Sequence, residues 1–165
     1  MKYLIDGLNL VYKFPELEGL MYEDRLNDAR DGLVNILADF ARRGQDEEII
    51  VFFDGRKNSD DWTPEEFVKK VQIYYSLEDS ADEVIMGFIR QYDKLSELRL
   101  VTSDKEILSF ARQFRVNYTK SEAFAEEIIK RLDEIQDEPA DEDEKETDLK
   151  LSSGQVSFWE RIFRA

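Results

Sequence analysis

One short apolar run restricts the fold of this chain more than any other feature. Ile49-Ile50-Val51-Phe52-Phe53 is continuously apolar, and each of its residues is β-branched or aromatic. Such a run predicts a strand buried on both faces, which is typical of parallel sheets covered by helices on either side. Four other short segments also have the composition of strands: Tyr3-Leu4-Ile5, Val71 to Tyr75, Leu98 to Thr102 and Val116 to Tyr118.

Helical patterns separate the predicted strands. Apolar residues recur at helical spacing between Glu23 and Arg43, and Gly44 is expected to end that helix. Capping signals indicate where four further helices begin: Thr63-Pro64-Glu65-Glu66, Ser80-Ala81-Asp82-Glu83, Ser103-Asp104-Lys105-Glu106 and Ser121. The alternation predicts an α/β fold, a three-layer sandwich whose sheet has about five mostly parallel strands and right-handed crossovers.

The composition excludes several chemistries, because the 165 residues include neither histidine nor cysteine. Zinc sites that need those ligands, disulfides, and Ser-His-Asp or Cys-His nucleophiles are therefore ruled out. A general acid or base must be a carboxylate, a lysine, a tyrosine or a metal-bound water. The hydrophobic fraction of 42% is enough to form a core, so the chain is expected to fold.

The charge pattern divides the chain into three parts. Between Asp137 and Asp148 there are eight acidic residues and one lysine, which predicts a disordered linker. We therefore expect a folded domain over residues 1–136, an acidic linker over 137–155 and a short aromatic, amphipathic tail over 156–165. The tail could dock on a partner protein, or it could fold back onto its own domain.

The N-terminal residues do not have the pattern of a signal peptide. Met1 to Asp6 lacks the apolar core of a signal peptide, and no apolar run approaches the length of a membrane span. We expect a cytoplasmic protein that does not contact the membrane.

Acidic residues follow the predicted strands where each strand ends. Asp6 follows the first strand, Asp54 the second, and Asp104 the fourth. Asp82 lies in the first turn of a predicted helix that faces the same edge, and Asn9 lies three residues after Asp6. Because the carboxyl ends of parallel strands meet at one edge, we expect these side chains to converge. Oxygen ligands without histidine or cysteine favour Mg²⁺ or Mn²⁺, and Asp6, Asp82, Asp104 and Asp54 are the candidate ligands.

Each of these acids also has a local explanation. Asp82 and Asp104 lie in first turns of helices, where the helix dipole favours a carboxylate. Asp54-Gly55 could be an ordinary turn, and Ser103 a helix cap. No turn rule accounts for Asp6 directly after a buried strand, and the local explanations do not account for the convergence at one edge.

At these residues the sequence resembles the NYN group of PIN-like nucleases, in particular the YacP-type bacterial proteins. The matching segments are Leu4-Ile5-Asp6-Gly7-Leu8-Asn9-Leu10, Val51-Phe52-Phe53-Asp54-Gly55, Ser80-Ala81-Asp82-Glu83-Val84-Ile85 and Val101-Thr102-Ser103-Asp104. They occur in the order that the family has, over roughly residues 1–136.

The resemblance implies a PIN-like, five-stranded parallel sheet and a metal-dependent ribonuclease, in particular an endoribonuclease. It implies that Asp6, Asp82 and Asp104 bind the metal and that Asn9 and Ser103 assist. It also implies single-stranded RNA, in particular mRNA, as the substrate and the ribosome as a partner.

An acidic chain needs some other means of holding RNA, since RNA binding depends largely on neutralising phosphates. The net charge is −15, and the stretch from Asp137 to Asp148 carries −7 of it, which leaves −8. Arg56 and Lys57 follow the site edge and are the best candidate phosphate contacts. Tyr12, Phe14 and Trp62 could stack on bases or could cover the core. The alternative to an enzyme is a catalytically silent adaptor of the same fold that binds RNA or the ribosome through its tail.

Overall fold

A computed structural model describes residues 1–55, 65–76 and 80–134. The strands are β1 (Lys2–Asp6), β2 (Glu48–Asp54), β3 (Glu65–Val68), β4 (Val71–Ser76), β5 (Leu98–Val101) and β6 (Asn117–Thr119). The helices are α1 (Gly7–Val11), α2 (Pro15–Tyr22), α3 (Leu26–Arg43), α4 (Ala81–Gln91), α5 (Lys105–Gln113) and α6 (Ser121–Glu134), with a short 3-10 turn at Leu95–Glu97.

The strands form one six-stranded sheet in the order β3-β4-β2-β1-β5-β6. Strand β1 lies at its centre and pairs in parallel with both β2 and β5. Strands β4 and β6 extend the parallel part of the sheet, and β3 pairs antiparallel to β4 at one edge. The predicted α/β class and mostly parallel sheet are confirmed.

Apolar side chains of the central strands point alternately to the two helical layers. Tyr3 and Ile5 pack with α1, α2, α3 and α6, whereas Leu4 packs with α4 and α5. In β2, Val51 belongs to the first cluster and Phe52 to the second. The continuous apolar run of β2 is therefore explained by burial on both faces.

The connections reverse direction at β1. From β1 the chain proceeds to β2 and β4 on one side, and it then returns to β5 and β6 on the other side. A parallel sheet opens a crevice beyond the carboxyl ends of its strands at such a reversal, and ligands bind there. The crevice lies between the end of β1, at Asp6, and the end of β5, at Val101.

The prediction of a helix beginning at Thr63 is wrong from Glu65 onward, where the structure describes the chain. Glu65–Val68 form strand β3, and Val68 pairs with Val71 across a two-residue turn. Lys69, in that turn, has a φ of 55°, the left-handed conformation that tight hairpins require. Pairing with the apolar strand β4 thus overrides the capping signal and adds a sixth strand.

Other boundaries differ slightly from the sequence-based expectation. Helix α3 ends before Gly44, as predicted, but it begins at Leu26 rather than at Glu23, and two short helices that were not predicted precede it. The last strand covers Asn117–Thr119, one residue later than expected. Ser80 caps α4 as predicted, since its side chain accepts a hydrogen bond of 3.2 Å from the amide of Glu83. Among the helices of the described ranges, none has both the length and the apolarity to cross a membrane.

Gly7 allows α1 to approach the sheet closely. A Cβ atom at this position would lie 2.8 Å from the backbone oxygen of Phe52 and would also overlap the ring of Phe53. Gly19, in α2, has open space where its Cβ would be. Glycine is therefore needed at position 7 for packing, whereas at position 19 it only lowers helix propensity.

We expect Gly7→Ala to lower the free energy of unfolding by roughly 2 kcal/mol, because backbone and a packed ring must shift. The matched variant Gly19→Ala should raise stability by up to about 1 kcal/mol. Urea denaturation of both full-length variants measures the difference. Equal effects of the two substitutions would contradict the close approach of α1 to β2.

Candidate active site

Asp6 ends the central strand, and its side chain is buried. The residue is 8% exposed, and Thr102 Oγ1 donates a hydrogen bond of 3.0 Å to Asp6 Oδ2. Burial raises the pKa of Asp6 to about 6; the hydrogen bonds from Thr102 and from the backbone of Asn9 lower it, and the charge of Asp82 raises it further. The fold therefore holds a carboxylate here whose negative charge is only partly compensated.

Asp82, in the first turn of α4, faces the same edge of the sheet. Burial raises the pKa of Asp82, and the charges of Asp104 and Asp54 raise it further. The charge of Asp54 likewise raises the pKa of Asp6. The structure thus brings Asp6, Asp54, Asp82 and Asp104 within electrostatic range of one another.

Asp104 caps α5 and is connected to Asp6 through one hydroxyl. Asp104 Oδ1 accepts hydrogen bonds from the amides of Glu106 and Ile107, at 2.9 and 3.2 Å. The amide of Asp104 donates to Thr102 Oγ1 at 3.1 Å, and the same hydroxyl donates to Asp6. Thr102 is fully buried, so this connection lies inside the domain and fixes the two carboxylates relative to each other.

Asn9 and Ser103 join three elements at the same edge. Asn9 Oδ1 accepts hydrogen bonds from the amide of Ser103 at 2.9 Å and from Ser121 Oγ at 2.7 Å. Ser103 Oγ donates to Glu122 Oε2 at 2.7 Å and accepts from the amide of Ser121 at 3.0 Å. Asp104, not Ser103, caps α5, so the cap role predicted for Ser103 is wrong. Ser121 is the first residue of α6, and its hydroxyl donates to Asn9.

Glu122 extends this network to the turn that follows α1. Lys13 Nζ lies 2.9 Å from Glu122 Oε1. The hydrogen bonds from Ser103 and Lys13 lower the pKa of Glu122 to about 2. Glu122 therefore remains ionised and keeps Ser103 oriented, a role that no local sequence pattern indicated.

Asp54 connects the end of β2 to the start of α4. Asp54 Oδ1 accepts a hydrogen bond of 2.6 Å from the amide of Ala81 and one of 3.4 Å from Ser76 Oγ. Because Ala81 directly precedes Asp82, Asp54 helps to place the first turn of α4 at the site edge.

The donor atoms at this edge are carboxylate oxygens, which suit Mg²⁺ or Mn²⁺. Within the described ranges, no group of three or more acidic side chains is arranged to hold an ion. Mg²⁺ commonly binds one or two carboxylates and keeps waters and substrate phosphates as its other ligands. The donor set therefore fits a hydrated ion better than a closed protein cage.

Other candidate residues are only partly covered by the structure. Phe14 is fully buried and belongs to the core, whereas Tyr12 is 46% exposed at the end of α1. Of these two aromatic side chains, only that of Tyr12 is accessible to a ligand. Arg56, Lys57 and Trp62 lie outside the described residues, as do the predicted linker and tail at 137–165.

The raised pKa of Asp6 predicts a pH-dependent effect of Asp6→Asn on the metal-free protein. The folded-state pKa of about 6 lies above the ordinary value of 3.8, so the stability contributed by the bound proton is present below about pH 4 and is lost as the pH rises through 6. We expect Asp6→Asn to stabilise the protein at pH 8 by at most about 3 kcal/mol and to have little effect at pH 4.

Thermal unfolding with a chelator at several pH values measures this effect. Asp93→Asn, which neutralises an exposed acid beyond the other end of α4, is the control. An Asp6→Asn variant that is less stable than wild type at pH 8 would contradict the buried, uncompensated charge.

No curated protein matches the sequence significantly. The fold is similar to the crystal structure of Rae1 (YacP) from Bacillus subtilis, with a TM-score of 0.65 and 21% identity over 82% of this chain and 78% of that one. A tryptophan-to-leucine variant of that protein gives a TM-score of 0.62 and 20% identity over 86% and 87% of the two chains. The sequence pattern of the YacP-like NYN domain family matches residues 3–164, so the chain belongs to that family.

Proposed function

We propose that the chain is a metal-dependent ribonuclease, an endoribonuclease that hydrolyses RNA phosphodiesters with Mg²⁺ or Mn²⁺. The observation that carries the proposal is the meeting of Asp6, Asp82 and Asp104 at the reversal of the sheet, where the charge of Asp82 raises the pKa of Asp6 and the charge of Asp104 raises the pKa of Asp82. Membership of a domain family whose proteins are generally nucleases supports it.

In this proposal Asp6, Asp82 and Asp104 hold the ion, with Asp54 as a fourth acid. When bound, the ion would supply an activated water and would stabilise the leaving oxygen. A cation would also offset the repulsion between the carboxylates, which the fold itself leaves partly uncompensated.

The neighbouring polar residues orient these carboxylates. Thr102 donates to Asp6 and accepts from the backbone of Asp104, so it sets their separation. Asn9 and Ser103 hold α1, the loop after β5 and α6 together around the site. Asn9 and Ser103 therefore assist by holding the elements of the site in place.

We expect Mn²⁺-dependent cleavage of single-stranded RNA by the wild-type protein. Asp6→Asn, Asp82→Asn and Asp104→Asn should each lower kcat by at least about 100-fold, because each removes a carboxylate that would hold the catalytic ion. Asp93→Asn is the matched control and should retain full activity. Cleavage at the wild-type rate by both Asp6→Asn and Asp82→Asn would refute the proposed site.

A catalytically silent adaptor is the second candidate function. It is favoured by one observation, namely that the described acids do not form a three-carboxylate group able to hold an ion. Calorimetric titration with Mn²⁺ separates the two functions. Absence of Mn²⁺ binding, together with RNA or ribosome binding that Asp6→Asn leaves intact, would favour the adaptor.

We further propose that a partner, the ribosome, presents single-stranded mRNA to the site. The support is the net charge of −15, which opposes unaided capture of a polyanion. Arg56 and Lys57, which follow Asp54-Gly55 in the sequence, are the proposed phosphate contacts.

Cleavage should therefore be more efficient on translated mRNA than on the same naked RNA. We expect kcat/KM to differ by roughly tenfold or more, since delivery by a partner offsets the repulsion between the acidic chain and RNA. Reactions with purified ribosomes, with and without translation of the RNA, measure the difference. Tight binding of naked RNA at physiological salt would contradict this dependence.

A further inference from the structure

Arg30, in α3, is a buried arginine at the end of the sheet that carries the acidic residues. It is 5% exposed, and its guanidinium lies 5.4 Å from the ring centroid of Phe53 and 5.7 Å from that of Tyr75. Arg30 Nη2 donates a hydrogen bond to the backbone oxygen of Asp54. The side chain therefore ties α3 to the last residue of β2.

A buried guanidinium needs an explanation, because removing it from water costs free energy that an apolar side chain would not. Asp6 and Arg30 are the charged residues that are buried in the part of the chain that the structure describes. Asp6 ends β1, and the guanidinium of Arg30 lies at the end of the neighbouring strand β2. Asp54 attracts Arg30 electrostatically, so the buried cation lies beside the acidic edge.

The contact of Arg30 continues into the first turn of α4. Arg30 holds the backbone of Asp54, and the carboxylate of Asp54 accepts the 2.6 Å hydrogen bond from the amide of Ala81. The next residue in the chain is Asp82. A continuous set of contacts therefore connects Arg30 in α3, through Asp54 at the end of β2, to the residue before Asp82.

We propose that Arg30 is a positioning residue of the candidate active site, which fixes Asp54 so that Asp54 in turn holds the first turn of α4 and Asp82. Its consequences for metal binding and cleavage rest on the proposed function, whereas the placement of α4 can be measured without it. Arg30 touches neither substrate nor ion in this proposal.

The chain offers a closely matched control in Arg131. The guanidinium of Arg131 also donates to a backbone oxygen, that of Phe40, at 3.4 Å, and it lies 3.7 Å from the ring centroid of Phe40. It contacts Glu47, before β2 begins, at the opposite end of the sheet from the site. Arg30→Met and Arg131→Met therefore each remove a backbone hydrogen bond and a ring contact, at the two ends of the sheet, and Arg131→Met also removes ion pairs with Glu47 and Glu127.

The test compares full-length Arg30→Met, Arg30→Lys and Arg131→Met with wild type. NMR measures how fast the amide hydrogen of Ala81 exchanges with solvent, relative to the amide hydrogen of Leu4 in β1. This relative rate reports how firmly the start of α4 is held. Titration with Mn²⁺ and single-turnover cleavage of single-stranded RNA report the consequences for the site. Thermal unfolding shows how much general stability each variant has lost.

We expect Arg30→Met to increase the relative exchange of the Ala81 amide and to weaken Mn²⁺ binding by roughly tenfold or more, as loss of an orienting residue does. The loss in cleavage should fall mainly on kcat rather than on KM, and Arg30→Lys, which retains a charged donor, should recover part of each effect. Arg131→Met should change relative exchange and Mn²⁺ affinity by less than about twofold, even with a similar loss of stability.

Equal changes in Arg30→Met and Arg131→Met, or no change in the relative exchange of the Ala81 amide, would overturn the positioning role. If wild type neither binds Mn²⁺ nor cleaves RNA, the proposed function fails, and the exchange measurement still decides whether Arg30 places α4. A failure of either proposal can therefore be recognised separately.

Discussion

The hydrogen bond between Thr102 and the buried carboxylate of Asp6 is the interaction on which the rest of the site depends. Asp6 ends the central strand, so its position is set by pairing with strands on both sides. The hydroxyl of Thr102 donates to it and also accepts from the backbone of Asp104. One buried side chain thus determines how the first and the third acid of the site stand relative to each other.

The site combines buried charge with incomplete compensation. Burial and mutual repulsion raise the pKa of both Asp6 and Asp82, which means that the fold gives up stability to keep these carboxylates together. Arg30 brings one buried positive charge to the same edge, but it contacts the backbone of Asp54. Local destabilisation of this kind is expected where a protein is arranged to bind a ligand of opposite charge.

Much of this arrangement could be predicted from the sequence, because it follows from where parallel strands end. The apolar runs located β1, β2, β4 and β5, and the acids after them were expected at one edge. The hairpin of β3 and β4 could not be predicted, since Thr63-Pro64-Glu65-Glu66 has the local features of a helix start and pairing with β4 decided otherwise. The partners of Ser103 and Ser121 were also missed, because they depend on contacts between elements far apart in the chain.

The amino-acid sequence limits the available catalytic groups and indicates the edge of the sheet at which they gather. Without histidine or cysteine, only carboxylates, lysines, tyrosines and a metal-bound water remain as catalytic groups, and strand periodicity placed four carboxylates at the ends of strands or the start of a helix. Only the tertiary structure decided which side chains hold them there. Thr102, Glu122 and Arg30 reach the site from different elements, and hydrogen bonds between distant segments exist only once the sheet and its helices have packed.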